Sequence, residues 1–168
     1  MPNRTLILNA EKVQQKITRI AYQIYESQST EREIVLVGVA KRGYLLAQRL
    51  AGIVQKISPL KVQLVELSMN KQNVHEGATL SCDASELNGK SVILIDDVLN
   101  SGEVLMFAAK HLLGIKLKKL STVVLVDRRH RSFPIRADFV GLTLSTTLQE
   151  HISVEFDPKG KQDMVYLR

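Results

Sequence analysis

Three apolar runs do most to restrict what this chain can become: "EIVLVGV" (33–39), "SVILID" (91–96) and "LSTVVLV" (120–126). None alternates polar with apolar residues, as a strand with one wet face would. Such runs fit strands covered on both faces, which is the situation in a parallel sheet. The segments between them have helical spacing. Asn9 caps a helix with apolar positions Val13, Ile17, Ile20, Ala21 and Ile24. A second helix carries Leu45, Leu46, Leu50, Ile53, Val54 and Ile57 and ends at Ser58-Pro59. A third spans 103–113 and closes at Gly114. "KVQLVEL" (61–67) reads as a further strand, and shorter ones are expected around 138–142, 152–156 and 163–167. Residues 69–90 are polar, contain Gly77 and Gly89, and read as a long mobile connection. Strands alternating with helices predict an α/β fold with right-handed crossovers. With no internal repeat and 168 residues, one domain over 1–168 is expected.

Composition restricts function less. The only cysteine, Cys82, has no internal partner, and no apolar run approaches the ~20 residues of a membrane span. "MPNRTLILNAEK" lacks the apolar core of a signal peptide, so a cytoplasmic location and no membrane partner are expected. A net charge of +6 favours anionic partners, phosphate metabolites and nucleic acid alike. His75, His111, His130 and His151 have no metal-ligand spacing.

In an open parallel sheet, ligands bind where the strands end. Polar clusters occupy three of those ends: "GVAKRG", "DDVLNSG" and "DRRHR". Taken singly, each has a plainer reading. Asp97 can cap a helix, Lys41-Arg42 can be a solvated pair, and "DRRHR" a basic surface turn. Their joint placement argues for a site. The turn Asn100-Ser101-Gly102 opens a helix, and free N–H groups there cradle phosphate. Asp96 and Asp97 suit sugar hydroxyls or a hydrated Mg²⁺. Lys41 and Arg42 suit a second phosphate group.

"VILIDDVLNSG" (92–102) resembles the 5-phosphoribosyl-1-pyrophosphate (PRPP) motif of type I phosphoribosyltransferases. "ITRIAYQI" (17–24), "GVAKRGYLLAQRLA" (38–51) and "VLVDRRHRSFPIRADFVG" (124–141) extend the likeness. Together they resemble the bifunctional pyrimidine-operon attenuator/uracil phosphoribosyltransferases. The resemblance implies that family's parallel-sheet fold with a small C-terminal hood, and transfer of phosphoribose from PRPP to uracil, giving UMP and pyrophosphate. Asp96 and Asp97 would be catalytic, binding the ribose hydroxyls and Mg²⁺ indirectly. The run Val98, Leu99, Asn100, Ser101, Gly102, Glu103 and Val104 would complete the PRPP site. Ala40, Lys41, Arg42 and Gly43 would form the pyrophosphate loop. Residues 69–80, with Lys71, would be the flexible loop. Val126, Asp127, Arg128 and Arg129 would lie near the base. The resemblance further implies a homodimer and an RNA partner, with Arg19, Arg128, Arg129, Arg131 and Arg136 as phosphate contacts.

The chain departs from the family at three places, and differs from hypoxanthine-guanine relatives at a fourth. Relatives follow the turn with Arg or a small residue and then a hydroxyl residue that donates to the 5′-phosphate; here stand Glu103 and Val104. Relatives carry an aromatic-Arg-Asp run in the flexible loop, whereas "SMNKQN" offers only Lys71. Tyr22 replaces a histidine of the first helix. Asn100 stands where hypoxanthine-guanine relatives have an aspartate, and a neutral amide is no general base at pH 7. The last difference favours uracil. The first two favour a regulatory nucleotide- or RNA-binding protein with weak or no catalysis.

Overall fold

A computed structural model describes residues 3–168. The apolar runs form the middle of a six-stranded sheet. Its strands are β2 (Glu33–Val39), β3 (Lys61–Met69), β4 (Ala78–Leu80), β5 (Ser91–Leu99), β6 (Lys119–Asp127) and β7 (Phe139–Thr143), in the order β4-β3-β2-β5-β6-β7. All neighbours are parallel except the edge strand β4, which runs antiparallel to β3.

Alternation within the strands explains why their sequences are apolar throughout. Ile34 and Leu36, Ile93 and Ile95, and Val123 and Leu125 face one layer. That layer is formed by the helices α1 (Ala10–Ser27) and α2 (Ala40–Ile57). Val35 and Val37, Val92 and Leu94, and Val124 face the opposite side, where α3 (Glu103–Leu113) packs. Each strand thus buries both faces, and β5 is buried at every position but Val98. As expected, the Asn9 side chain caps α1, accepting the Lys12 N–H at 2.9 Å. The buried stripe of α1 is Val13, Ile17, Ile20, Ala21 and Ile24. Gly114 closes α3 in right-handed geometry (φ −68°), so its lack of a side chain is not what ends the helix.

Strand β1 (Thr5–Leu8), which has no distinct sequence signal, joins β8 (Ile152–Glu155) and β9 (Met164–Leu167) in a small antiparallel sheet ordered β1-β9-β8. The C-terminal hood is therefore built from both ends of the chain. Asp163, 3% exposed, ties it down by accepting from Arg49 Nε of α2 at 3.0 Å and from the Asp157 N–H at 2.8 Å.

Residues 69–90 correct the expected mobile connection. They hold the end of β3, short 3-10 turns at Val74–Glu76 and Ala84–Leu87, and β4. Asp83 and Glu86 close a capping box around the second turn, and Leu87 is fully buried beneath it. Polar composition hid a segment stabilised by caps and by a sheet edge. No helix among the described residues is long and apolar enough to cross a membrane.

Candidate active site

Strands β2 and β5 end side by side, Gly38 opposite Ile95, so whatever follows each strand meets at one mouth. There a cleft of about 490 Å³ opens. Asp96 and Asp97 form its floor, 3% and 5% exposed. Both belong to β5 itself, which rules out the helix-cap reading of Asp97. The Asp97 N–H donates to Asp96 Oδ1 at 2.9 Å and fixes that carboxylate. Burial, and then the neighbouring Asp97 charge, push the Asp96 carboxyl well above the ordinary carboxylate range.

Lys71 reaches into the cleft from the end of β3. Its Nζ lies 2.8 Å from Asp96 Oδ1 and 3.5 Å from Asp97 Oδ1. Burial by itself would lower the ammonium, but the two carboxylates outweigh it and hold Lys71 above its usual value. The acids are 25 and 26 residues from Lys71 along the chain, so nothing local in the sequence foretold the contact.

The opposite wall is the turn. Gly102 has φ +90°, and a Cβ there would stand 2.7 Å from Ile135 Cγ2 and 3.2 Å from the Phe133 carbonyl oxygen. Only glycine fits both the angle and the space. Gly102 is the N-cap of α3, so the first N–H groups of that helix point back toward the cleft. Ser101 Oγ already accepts the Glu103 N–H at 3.2 Å. Val98, Leu99, Asn100, Ser101, Gly102 and Val104 all line the cleft; Glu103 does not.

Ala40, Lys41 and Arg42 line the side facing the acids. They form the first turn of α2, with Ala40 at φ +47°, a left-handed conformation that a non-glycine residue rarely adopts. Gly43 is not part of the lining. A Cβ at Gly43 would meet the Ile95 carbonyl oxygen at 2.6 Å, so this glycine lets α2 pack directly against β5.

Val126, Asp127, Arg128 and Arg129 lie beyond the cleft lining. Val126 is core. Asp127 pairs with Arg131 at 2.6 Å. Arg128 is buried, donating to Thr146 Oγ1 at 2.6 Å, to the Thr147 carbonyl at 2.9 Å and to Asn100 Oδ1 at 3.4 Å. It therefore links the turn at Asn100 to the loop that leads into β8, whose first residue, Ile152, does line the cleft. Ile152 and Val124 are lining residues that the sequence did not single out, because an apolar strand residue carries no mark of facing a ligand.

Of the five arginines grouped as phosphate contacts, three have hydrogen-bond partners within the fold, although Arg19 is itself exposed. Arg19 donates to the Gly141 carbonyl at 2.7 Å, and Arg131 braces the turn through the Asn100 carbonyl at 2.8 Å. Arg128 is the third. Arg129 and Arg136 are exposed.

The donor set also bears on Mg²⁺. Among the described residues no group of three His, Cys, Asp or Glu side chains is placed to hold a metal. Two buried carboxylates beside the free N–H groups of a helix N-terminus nevertheless fit a cation that retains water and arrives with ligand oxygens, as Mg²⁺ does.

Known proteins resemble this chain along most of its length. The phosphoribosyl transferase domain family matches residues 3–159. Bifunctional protein PyrR of Enterococcus faecalis is 34% identical over 174 residues, covering 99% of this chain and 97% of that protein. Its counterpart in Brevibacillus brevis is 34% identical over 176 residues, covering 100% and 98%. A solved hypoxanthine-guanine phosphoribosyltransferase from Bacillus anthracis is 25% identical, covers 83% of this chain and 82% of its own, and superposes with a TM-score of 0.71. The hypoxanthine phosphoribosyltransferase of Trypanosoma cruzi, 18% identical with 98% and 96% coverage, shares the fold at a TM-score of 0.76. With the family match spanning almost the whole chain and the acidic pair and glycine turn meeting in one cleft, the chain belongs to the type I phosphoribosyltransferase family.

Proposed function

We propose that the protein transfers the 5-phosphoribosyl group of PRPP to uracil, giving UMP and pyrophosphate. The observation that carries the reading is the buried Asp96–Asp97 pair facing the Gly102 turn across one cleft. A ribose laid along β5 puts its hydroxyls on the carboxylates and its 5′-phosphate on the N-terminus of α3. Lys41 and Arg42 then face the pyrophosphate. In the reaction the C1–oxygen bond to pyrophosphate breaks while a bond to uracil N1 forms, and the N1 proton passes to the departing pyrophosphate or to water. Mg²⁺, when bound, supplies further neutralisation of the leaving pyrophosphate, and Asp96 and Asp97 are the residues that would hold it. The hood around Ile152 and the segment bearing Lys71 flank the reacting carbon and keep water away from it.

Uracil is favoured over a purine by Asn100. It stands where hypoxanthine-guanine relatives carry an aspartate, and its amide oxygen accepts from Arg128. A second reading, nucleotide or RNA binding with weak catalysis, is favoured by two features of the cleft. Val104 presents no hydroxyl, and Lys71 occupies the acids. The PyrR relatives are named bifunctional, which suits both readings.

Incubation with PRPP, Mg²⁺ and each of uracil, hypoxanthine and guanine, followed by pyrophosphate release, tests the proposal. Release with uracil alone is expected. Turnover with hypoxanthine would overturn the choice of base. No turnover, with UMP still bound in a titration, would leave the regulatory reading.

A further inference from the structure

The contact between Lys71 and the acidic pair has a consequence for which ligands the cleft holds without metal. We propose that Lys71 is a built-in counter-cation that lets the cleft hold a nucleoside 5′-monophosphate in the absence of divalent metal, and that it withdraws when a pyrophosphate-bearing ligand brings its own. The inference rests on the phosphoribosyl reading above and assigns Lys71 a selective role within it.

The segment that carries Lys71 is braced in place. Asn70 Nδ2 donates to Glu76 Oε2 at 3.2 Å and Asn73 Nδ2 donates to Glu76 Oε1 at 3.3 Å. The Gln72 N–H donates to Asn70 Oδ1 at 2.9 Å. On the far side, the His75 ring meets Phe107 of α3 edge-on, with centroids 5.0 Å apart. Lys71 thus enters the cleft from a tied turn anchored to the helix whose N-terminus forms the phosphate cradle.

Charge then decides the outcome. In the lining the cations Lys41, Arg42 and Lys71 outnumber the acids Asp96 and Asp97; without Lys71 the two kinds are equal in number. A monophosphate ligand brings no leaving pyrophosphate and so no metal of its own. Its countercharge must come from the protein, and Lys71 is the cation nearest the ribose site. The ammonium engages Oδ1 of both carboxylates, which leaves each Oδ2 for ribose hydroxyls. A divalent cation needs the same carboxylates, so it and the ammonium repel each other there. Lysine suits such exchange: its charge is compact and sits on a flexible four-carbon stem, whereas arginine would hold a carboxylate in a two-pronged grip.

Calorimetric titration of the full chain with UMP, in EDTA and in Mg²⁺, and with PRPP in Mg²⁺, tests this. Wild type is expected to bind UMP equally well with and without metal, within about twofold. Lys71→Gln is expected to weaken UMP in EDTA by about tenfold or more, the scale of one lost charge-assisted contact. The same variant should leave PRPP binding in Mg²⁺ unchanged or tighter, and Lys71→Arg should keep UMP binding. Strict dependence of wild-type UMP binding on Mg²⁺ would overturn the inference without any variant. So would Lys71→Gln weakening both ligands alike. Failure of folded wild type to bind either ligand would remove the phosphoribosyl reading itself, a distinct result.

Discussion

Replacing Val104 by threonine tests whether the helix N-terminus is a phosphate cradle lacking one donor. Val104 is the second residue of α3, lines the cleft, and is half-buried with its inner side against the α3 core. Threonine keeps the branched shape and exchanges one methyl for a hydroxyl. The lost apolar contact costs about 0.5–1 kcal/mol of stability, the lower part of the range for a buried methyl because the site is half open. For a domain of this size that lowers Tm by roughly 1–4 °C. A hydroxyl donating to a charged 5′-phosphate adds about 1.5–3 kcal/mol to binding, or roughly ten- to a hundredfold in Kd. Affinity and stability therefore move in opposite directions. Calorimetric titration of PRPP at fixed Mg²⁺ and ionic strength, alongside a thermal melt, reads both. Glu103→Gly in the same chain should add a smaller gain that fades with salt, because it removes a negative charge from the phosphate end of the helix. A folded Val104→Thr protein with unchanged PRPP affinity would refute the reasoning, since it would mean the phosphate does not sit over the first turn of α3.

Three further outcomes are expected. Asp96 holds its proton above the ordinary carboxylate range, from a reference near 3.8. Folding therefore takes up a proton as pH rises from that reference toward the raised value, and stability falls across the window, then levels. Ionised Asp96 favours a cation, so Mg²⁺·PRPP binding should strengthen over the same window and release a proton; titrations in buffers of different ionisation enthalpy detect it, and no buffer dependence would contradict the assignment. Gly102→Ala combines φ +90° with a Cβ 2.7 Å from Ile135 Cγ2, so it should cost about 2–4 kcal/mol in urea unfolding and weaken UMP binding; a wild-type midpoint would mean the turn relaxes freely. Asp163→Ala removes the ion pair of Arg49, which keeps its bond to the Asp157 carbonyl, and leaves the Asp157 N–H unpaired; it should cost about 3 kcal/mol, with faster amide exchange confined to residues 152–167, and unchanged exchange there would show that the hood is held by its strand pairing alone.

Local order explains what was legible in the chain itself. Continuous apolar runs and a 3.6-residue period involve neighbours a few residues apart, so β2, β5, β6 and all three helices are legible in sequence. The acidic pair and the glycine turn were legible for the same reason: Asp96 to Gly102 form one continuous run whose position at a strand end fixes what each residue can do. Contacts between distant segments carry no such pattern. Thr5 pairs with Leu167 across nearly the whole chain, and that pairing alone makes β1 a strand. Arg19 and Arg131 look like free cations in sequence, yet backbone carbonyls of other segments take up their donors. Gly43 resembles a loop glycine and is a packing contact. Lys71 looked like a weak substitute for a missing arginine, and the fold sets it on the two carboxylates. The sheet, the acids and the turn are legible in the chain because each lies in one short continuous run of residues. Which cations meet those acids, and which bond to other segments, emerges only on folding, because such pairings depend on how separate segments close and pack on one another.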